Sequence, residues 1–359
     1  MRIAAKVNEC GIALVIVMMV IVVLGMLAAS FAYSMRVETK LAKNVGSESD
    51  MEWIGRSGIE VARYVLAQQL NCPNEPYDSL NQKWAGGPGG NCSSNGPLAD
   101  VSLEHIQLGR GECSVKIVDL ERKMNINSAN RQTIQQALDL MGVDSFDSYT
   151  ILDSIEDWLD ADSNPHVNGA ESDYYLTLPQ PHVAKDGPFD DMSELLLVRG
   201  VTPEIYWGPQ GASPSRRSGQ VSSAITFNRP DASFSYGLVD LFTTLGRPQV
   251  NINTASIGVL QLLPGVDRSC AEDIIRKRAG LDGVDGTDDD TPFFNPGELI
   301  NVSCMNPIFV NQLSRYATVR SFTFEAQVDV EIDQYKRRLV ALLFRNSSRD
   351  VQILSTHWE

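Results

Sequence analysis

The chain begins with a long apolar run. The run extends from Ile12 to Ala29, and only Ser30 and Ser34 interrupt its continuation to Met35. About 20 apolar residues in a helix span a bilayer, whereas a secretory signal has an apolar core of roughly 7–15 residues. The run therefore predicts a helix that stays in the mature protein and anchors it in a membrane.

The soluble part shows both helical and strand periodicity. From Arg36 to Leu70 apolar residues recur mostly every three or four positions, which is typical of an amphipathic helix. Apolar and polar positions alternate in Ser114 to Asp119 and in Thr318 to Ile332, and a second apolar stretch, Arg338 to Phe344, follows a polar turn. These patterns predict strands, the last two forming a C-terminal hairpin with one buried face.

A duplicated pattern lies between the strands. Asn-Ile-Asn-Ser-Ala begins at Asn125 and Asn-Ile-Asn-Thr-Ala at Asn251; each copy continues through an apolar helix, a Gly-Val step and a second helix. Each later has a Pro-Phe step whose Phe lies five residues before a Glu-Leu pair. Recurrence at fixed offsets indicates two copies of one supersecondary unit. Each copy predicts a helix-hairpin-helix, in which Ser128 or Thr254 caps the helix that follows.

The charge balance argues against nucleic-acid binding, and the missing motifs argue against an enzyme. Thirty Lys and Arg stand against 45 Asp and Glu, a net charge of -15, which repels phosphate backbones. Because similar hairpins grip DNA phosphates, a membrane-anchored DNA-binding or uptake protein is the alternative function, and Arg276 to Arg278 is the only dense basic triplet in the hairpin region. No metalloprotease, nucleophile-elbow or phosphate-loop motif occurs, and the four histidines are dispersed, so an enzyme is not expected.

An acidic loop after the second helix of the first copy offers candidate metal ligands. Four residues occupy places 1, 3, 5 and 12 of an EF-hand-like loop, but Pro165 stands where a true EF-hand needs glycine. The candidate calcium ligands are Asp157, Asp160, Asp162, Asn164, Glu171 and Asp173. The alternative interpretation is a solvated loop whose aspartates cap helices.

A second acidic loop and the cysteines give further candidates. A second calcium ion could bind the loop that contains Asp282, Asp285, Asp288 and Asp290, although a solvated loop explains these carboxylates as well. Cys72 and Cys92 bracket a Pro/Gly/Asn-rich loop, and Cys270 and Cys304 flank the acidic one. Their placement suits two disulfides in an oxidising compartment and leaves Cys113 over; reduced core cysteines are the alternative.

Together these motifs resemble the K-type minor pseudopilins of type II secretion. The resemblance covers nearly the whole chain: a short basic leader, the apolar run, the long helix, the Asn-Ile-Asn repeats, Asp-Trp-Leu-Asp-Ala-Asp at Asp157 and Gly-Pro-Phe at Gly187. It implies an α+β protein: a pilin-like long N-terminal helix with a small antiparallel sheet, and an inserted all-α domain of two related helix-hairpin-helix (SAM-like) units. The expected divisions are a leader 1–11, a transmembrane part 12–35, a first pilin part 36–120, a helical insertion 121–315 with units 121–210 and 247–315, and a C-terminal β-hairpin 316–359.

The resemblance also implies processing and topology. A prepilin peptidase would cut between Gly11 and Ile12 on the cytoplasmic side. The mature protein would then cross the inner membrane once, with a cytoplasmic amino terminus and a periplasmic bulk. Major pseudopilins carry a glutamate at the fifth mature position, and this chain has Ile16 there. A subunit without that carboxylate is expected to cap a filament and not to repeat along it.

The implied partners are other proteins of the secretion machinery. They are the H-, I- and J-type minor pseudopilins, the prepilin peptidase, the inner-membrane secretion platform and exported proteins, with no nucleic acid. The implied function is to start and cap the pseudopilus while folded proteins cross the outer membrane. The resemblance further implies calcium in the helical region.

Overall fold

A computed structural model describes residues 10–89, 96–208, 236–333 and 335–359. Helix α1, Cys10–Gln69, is a single helix of 60 residues. From Leu14 to Met35 its large apolar side chains are all about half exposed or more, whereas Met51, Ile59 and Val65 are buried. The outer part of α1, residues 14–35, is therefore not covered by apolar side chains of the described residues. The inner part, residues 51–69, belongs to the protein core.

The inner part of α1 lies on an antiparallel sheet of five strands in the order β1-β2-β7-β8-β9. A Cβ atom at Gly55 would come within 2.9 Å of Leu339, and one at Gly58 would collide with Val328. These two glycines let the helix approach the strands closely. The strands are β1 Ile106–Leu108, β2 Gly111–Asp119, β7 Thr323–Ile332, β8 Tyr335–Ser347 and β9 Asp350–Trp358.

The sheet confirms the predicted fold class and adds strands that the sequence pattern did not indicate. The expected hairpin of β7 and β8 is present, with Val328 opposite Leu339. Strand β9 continues it as a third antiparallel strand, and the short β1 pairs with β2. Apart from Val351 the side chains of β9 are half-buried or exposed, so it lacks the alternation that reveals a strand.

The helical insertion leaves the sheet after β2 and returns before β7. Its helices are α2 Arg131–Met141, α3 Ser145–Leu159, α4 Ser172–Tyr175, α5 Pro203–Trp207, α6 Leu238–Leu241, α7 Ile257–Leu260, α8 Arg268–Arg278 and α9 Pro307–Leu313. The described residues of the insertion also form two small parallel strand pairs: β3 Met124–Asn125 with β4 Phe242–Thr243, and β5 Val250–Asn251 with β6 Ala317–Thr318. A continuous apolar core from Met124 to Val319 joins both units.

The repeated sequence motifs meet in space. In the first unit the Asn127 side-chain amide donates to the Phe189 carbonyl at 2.9 Å and accepts from the Phe189 amide at 2.8 Å. Asn253 and Phe293 make the same pair of bonds at 2.9 Å each. The second Asn of each motif therefore clasps the Phe of the Pro-Phe step, which explains why the two patterns recur together.

The predicted capping role of Ser128 and Thr254 is wrong. The Ser128 hydroxyl donates to the Asn125 carbonyl, and the Thr254 hydroxyl donates to Asp119. Ser128 and Thr254 each lie in a short turn within the motif, so the caps fall two residues later. Asn130 accepts from the Thr133 amide and Ser256 from the Val259 amide.

A buried polar network joins the insertion to the sheet. Arg345 of β8 pairs with Asp78, and both side chains are about 1% exposed. The Asp119 carboxylate at the end of β2 accepts from Asn251 at 3.1 Å and from Ser321 at 2.7 Å. Burial raises the pKa of Asp119. Because unpaired buried charges are costly, this network fixes the second helical unit against the sheet.

Candidate functional site

The candidate metal centre lies where helix α3 of the first unit ends. Asp157 is fully buried in the last turn of α3. Its carboxylate accepts from the His166 amide at 3.0 Å, and the His166 ring bonds the same carboxylate. This contact raises the pKa of His166. Asp157 therefore holds the loop that follows α3 against the helix end.

Glycine is required at the closest approach of this loop. A Cβ atom at Gly169 would overlap the Asp157 carboxylate. The Gly169 carbonyl also accepts from the Arg199 guanidinium at 2.9 Å. The loop backbone can therefore pass directly over Asp157 and bring the next acidic residues back to it.

Two groups of ligand atoms converge here. One ligand atom from each of Asp160, Asp162 and Glu171 lies within 4.8 Å of the others, and so does one from each of Asp157, Asp160 and His166. Carboxylate oxygens are the ligands that calcium prefers. The fold thus assembles four of the six carboxylate and amide residues that the sequence indicated.

Glu171 is the most informative residue of the centre. Its side chain is 5% exposed, and neither carboxylate oxygen has a hydrogen-bond partner in the described structure. Burial raises the pKa of Glu171 to about 7, and the nearby charges of Asp157 and Asp186 add to the effect. A buried carboxylate without partners is costly unless a proton or a cation neutralises it. The donor set therefore fits a hard divalent cation.

The remaining sequence candidates lie differently. Asn164 is exposed and donates to Asp162, and Asp173 is exposed in the first turn of α4. Neither belongs to the converging groups. Sequence reasoning missed Asp186, which approaches Glu171 from a distant loop with a positive φ of 52°. An isolated aspartate 15 residues after Glu171 gives no local signal, so only the fold reveals it.

The second acidic loop is largely satisfied by protein groups. Arg278 donates to both oxygens of Asp285, at 2.9 and 2.7 Å. Asp289 accepts from the amides of Leu281 and Asp282, and Asp290 accepts from the Gly286 amide. A second calcium ion at Asp282, Asp285, Asp288 and Asp290 stays a prediction.

The structure describes most of the candidate cysteines and the residues on both sides of the expected cleavage site. Cys270 of α8 forms a disulfide with Cys304, with 5.5 Å between the Cα atoms. Cys72 is disulfide-bonded, Cys92 lies outside the described residues, and Cys113 is free and buried. Gly11 and Ile12 lie in the backbone of α1, and most of the expected leader precedes the described residues.

The hairpin turns do not offer the amides that a phosphate would need. Asp144 accepts from the Phe146 amide at the start of α3, and Asp267 accepts from the Cys270 amide at the start of α8. An aspartate at a helix start occupies the position in which a phosphate would bind and repels it. The DNA-binding alternative thus gains no support from either unit.

Within the described residues, α1 is a helix long and apolar enough to cross a membrane. The fold and this anchor define a pilin-type protein with a helical insertion. A chain of the crystal structure of the GspK-GspI-GspJ complex from the enterotoxigenic Escherichia coli type 2 secretion system superposes on it with a TM-score of 0.64. The match covers 89% of this chain and 99% of that chain at 17% identity, which supports the fold.

Sequence comparisons show which proteins the chain resembles. The family described as type II secretion system (T2SS), protein K, matches residues 115–207. The type II secretion system protein K of Pseudomonas aeruginosa PAO1 is 25% identical over 298 residues, 79% of this chain and 76% of the relative. That of Klebsiella pneumoniae is 23% identical over 214 residues, 55% and 60% of the two chains. Over most of its length the chain is therefore similar to the protein K of type II secretion systems, the K-type minor pseudopilins.

Proposed function

We propose that this minor pseudopilin caps the tip of the pseudopilus, in a complex with the I- and J-type minor pseudopilins. The solved relative was crystallised as a GspK-GspI-GspJ complex, and its likeness covers almost the whole of that chain. The exposed apolar part of α1, Leu14 to Met35, is the observation that carries the proposal. Such a surface needs lipid before assembly and neighbouring helices after it.

The cap position follows from the first turns of the mature helix. Cleavage between Gly11 and Ile12 would place Ile16, and no carboxylate, at the fifth position. A buried charge pair stabilises an assembly only when both partners are present. Lacking the acidic partner, this subunit cannot extend the filament in both directions. The bulky insertion between β2 and β7 would also be hard to pack along a filament wall.

The proposed topology places the amino terminus in the cytoplasm and the sheet and helical units in the periplasm. The disulfide between Cys270 and Cys304 supports an oxidising compartment for the helical part. In this position the chain acts as an assembly component and not as a catalyst. Its H-type partner, the secretion platform and exported proteins remain further proposed contacts.

Calcium belongs to the same proposal as a structural cofactor of the first unit. Asp160, Asp162 and Glu171 would hold the ion, with Asp157 beside them. The ion would supply the positive charge that the orphaned Glu171 carboxylate lacks. It would thereby order the loop between α3 and α4.

The test is co-expression of the full-length chain with the I- and J-type pseudopilins of the same secretion system, followed by size exclusion in mild detergent. The proposal expects one complex that contains all three subunits, with an elution position that is altered or broadened by a calcium chelator. A chain that elutes alone in both buffers would contradict the proposal. An electrophoretic shift of duplex DNA by the same preparation would favour the alternative function.

A further inference from the structure

Strand β9, Asp350–Trp358, forms one edge of the five-stranded sheet. Within the described parts of the chain, no strand pairs with its outer side. The opposite edge, β1, has three residues, whereas β9 has nine. An open edge of this length is a template for another extended strand, because each outward N–H and C=O seeks a partner.

The middle of β9 lacks the residues that usually protect an open edge. From Val351 to Thr356 the sequence is Val-Gln-Ile-Leu-Ser-Thr, which has no charge, proline or glycine, in a chain that is 21% charged. Ile353 is 40% exposed and Leu354 is 55% exposed. Soluble proteins usually place lysine, proline or inward charges on such edges to prevent pairing. The edge of β9 therefore has the properties of a strand that pairs in an assembly.

The hydrogen-bond pattern identifies the outward groups. Arg338 of β8 and Glu359 exchange backbone bonds, at 2.8 and 3.5 Å. Bonded and non-bonded pairs alternate along an antiparallel ladder, and Thr356 lies opposite Ala341 and Trp358 opposite Leu339. Thr356 and Trp358 are therefore at non-bonded positions, and their N–H and C=O groups point away from β8.

The position of β9 beside α1 indicates what can reach the edge. At one end of the strand the Trp358 indole donates to Glu52 at 2.8 Å, and at the other Arg63 donates to the Val351 carbonyl at 2.8 Å. The strand thus runs along the same helix that continues into the membrane anchor. A neighbouring subunit anchored by a helix parallel to α1 would bring its own sheet to the height of β9.

A groove next to the edge offers side-chain contacts as well. It has a volume of about 520 Å³ and lies between α1 and β9. Ile59, Leu339, Ile353 and Trp358 contribute apolar surface, and Glu52 and Arg56 lie at its polar side. An extended strand on the edge of β9 could place its alternate side chains in this groove, as in other cases of β-strand addition.

We propose that β9 pairs edge to edge with a strand of a neighbouring membrane-anchored pseudopilin, and that Thr356 and Trp358 supply its backbone bonds. This inference rests on the proposed function and adds the contact surface to it. The other occupants, a second copy of this chain or an exported protein, are outcomes of the test.

The test compares Thr356→Pro with Thr356→Val in the full-length chain. Proline removes the outward N–H and is tolerated on an edge strand, because β8 does not use that group. Valine keeps the N–H group and the branched shape. We expect Thr356→Pro to weaken capture of the I- and J-type partners about tenfold or more, and Thr356→Val to stay within about twofold of the parent.

Two controls separate folding from binding. The melting temperature of Thr356→Pro reports whether the fold survives, and Leu354→Lys places a charge on the edge without altering the backbone, so it should weaken capture as well. In the wild-type complex, hydrogen exchange of the peptide over residues 350–359 should slow relative to the free chain.

Four outcomes would each contradict all or part of the proposed edge pairing. A wild-type complex that leaves residues 350–359 unprotected and binds both edge variants normally would overturn the edge pairing and leave the proposed function intact. Failure of the wild-type chain to form any complex would overturn both. Self-association of the chain alone that Thr356→Pro abolishes would replace the neighbouring subunit with a second copy. Protection that appears only with an exported protein would equally contradict the assignment.

Discussion

The two helical units share one clasp and differ in what their polar groups meet. In the second unit Asn251 is fully buried and donates to Asp119, Ser321 and the Asp78 carbonyl. In the first unit Asn125 donates to the Gly246 carbonyl of the insertion itself. The second unit therefore attaches the insertion to the sheet. The corresponding asparagine of the first unit bonds only within the insertion.

The same difference holds for the acidic loops. Arg278 satisfies Asp285 in the second unit, whereas neither oxygen of Glu171 in the first unit has a hydrogen-bond partner among the described residues. In this duplicated scaffold one copy attaches the insertion to the sheet, and the other contains a buried carboxylate, Glu171, that could bind a cation.

The largest effect is expected at the attachment of the second unit. Replacing Arg345 by methionine leaves the buried Asp78 charge without its partner, and should lower the free energy of unfolding by about 3–5 kcal/mol. Urea unfolding followed by tryptophan fluorescence measures the loss. Arg338→Met is the matched control: it removes a surface pair with Asp329, so it should change stability by about 0.5 kcal/mol or less. Equal losses would contradict the attachment role.

The disulfide should stabilise the second unit alone. Changing both Cys270 and Cys304 to serine opens a loop with a sequence separation of 34 residues and should cost about 3 kcal/mol. Hydrogen exchange should accelerate over residues 247–315. If residues 121–208 accelerate to the same extent, the two units unfold together and the division fails.

The clasp asparagines allow a matched comparison between the units. Asn253 is 2% exposed, whereas Asn127 is half-buried. Substitution by alanine leaves a backbone amide and a carbonyl unpaired in each case, but water can reach them more easily in the first unit. The free energy of unfolding, measured by urea denaturation, should fall more for Asn253→Ala, by about 2 kcal/mol, than for Asn127→Ala, by about 1 kcal/mol. A reversed order would show that burial does not govern the clasp.

The candidate metal centre should give a smaller, pH-dependent effect. Because the folded state raises the pKa of Glu171 from 4.5 to about 7, stability without calcium should fall as the pH rises through that range. Calcium should remove the loss, and its stabilisation should grow between about pH 5.5 and about pH 8. Thermal melts with calcium and with chelator measure both slopes.

Two variants sharpen this test. Glu171→Gln should flatten the pH dependence without calcium and abolish the calcium response, because the amide carries no charge. Asp173→Asn changes an exposed carboxylate outside the converging groups, so it should retain both behaviours. A full calcium response in Glu171→Gln would contradict the assignment of the centre.

The sequence predicted the elements that have strong periodicity or repetition. The apolar run and its amphipathic continuation predicted α1, alternation predicted β2 and β7, and an apolar stretch after a polar turn predicted β8. The Asn-Ile-Asn and Pro-Phe motifs recur at fixed offsets because Asn127 and Asn253 each bond a phenylalanine backbone. At these positions the local sequence pattern and the tertiary contacts favour the same structure, and for that reason the sequence alone predicted it.

The features that sequence reasoning missed depend on distant contacts or on missing ones. Strand β9 buries only Val351 well, so no alternation marks it. The caps moved from Ser128 and Thr254 to Asn130 and Ser256 because short turns intervene. Asp186 approaches Glu171 only through the fold. An exposed strand edge and a carboxylate brought close by the fold are properties of the folded chain and not of the local sequence.

The most direct test of the cap is to locate the chain on assembled pseudopili. Filaments sheared from cells that express an epitope-tagged copy would be labelled with gold particles and compared with filaments that carry the Ile16→Glu variant. The account predicts label at one end of wild-type filaments and none along their shafts. Label spread along the shafts of wild-type filaments would contradict it.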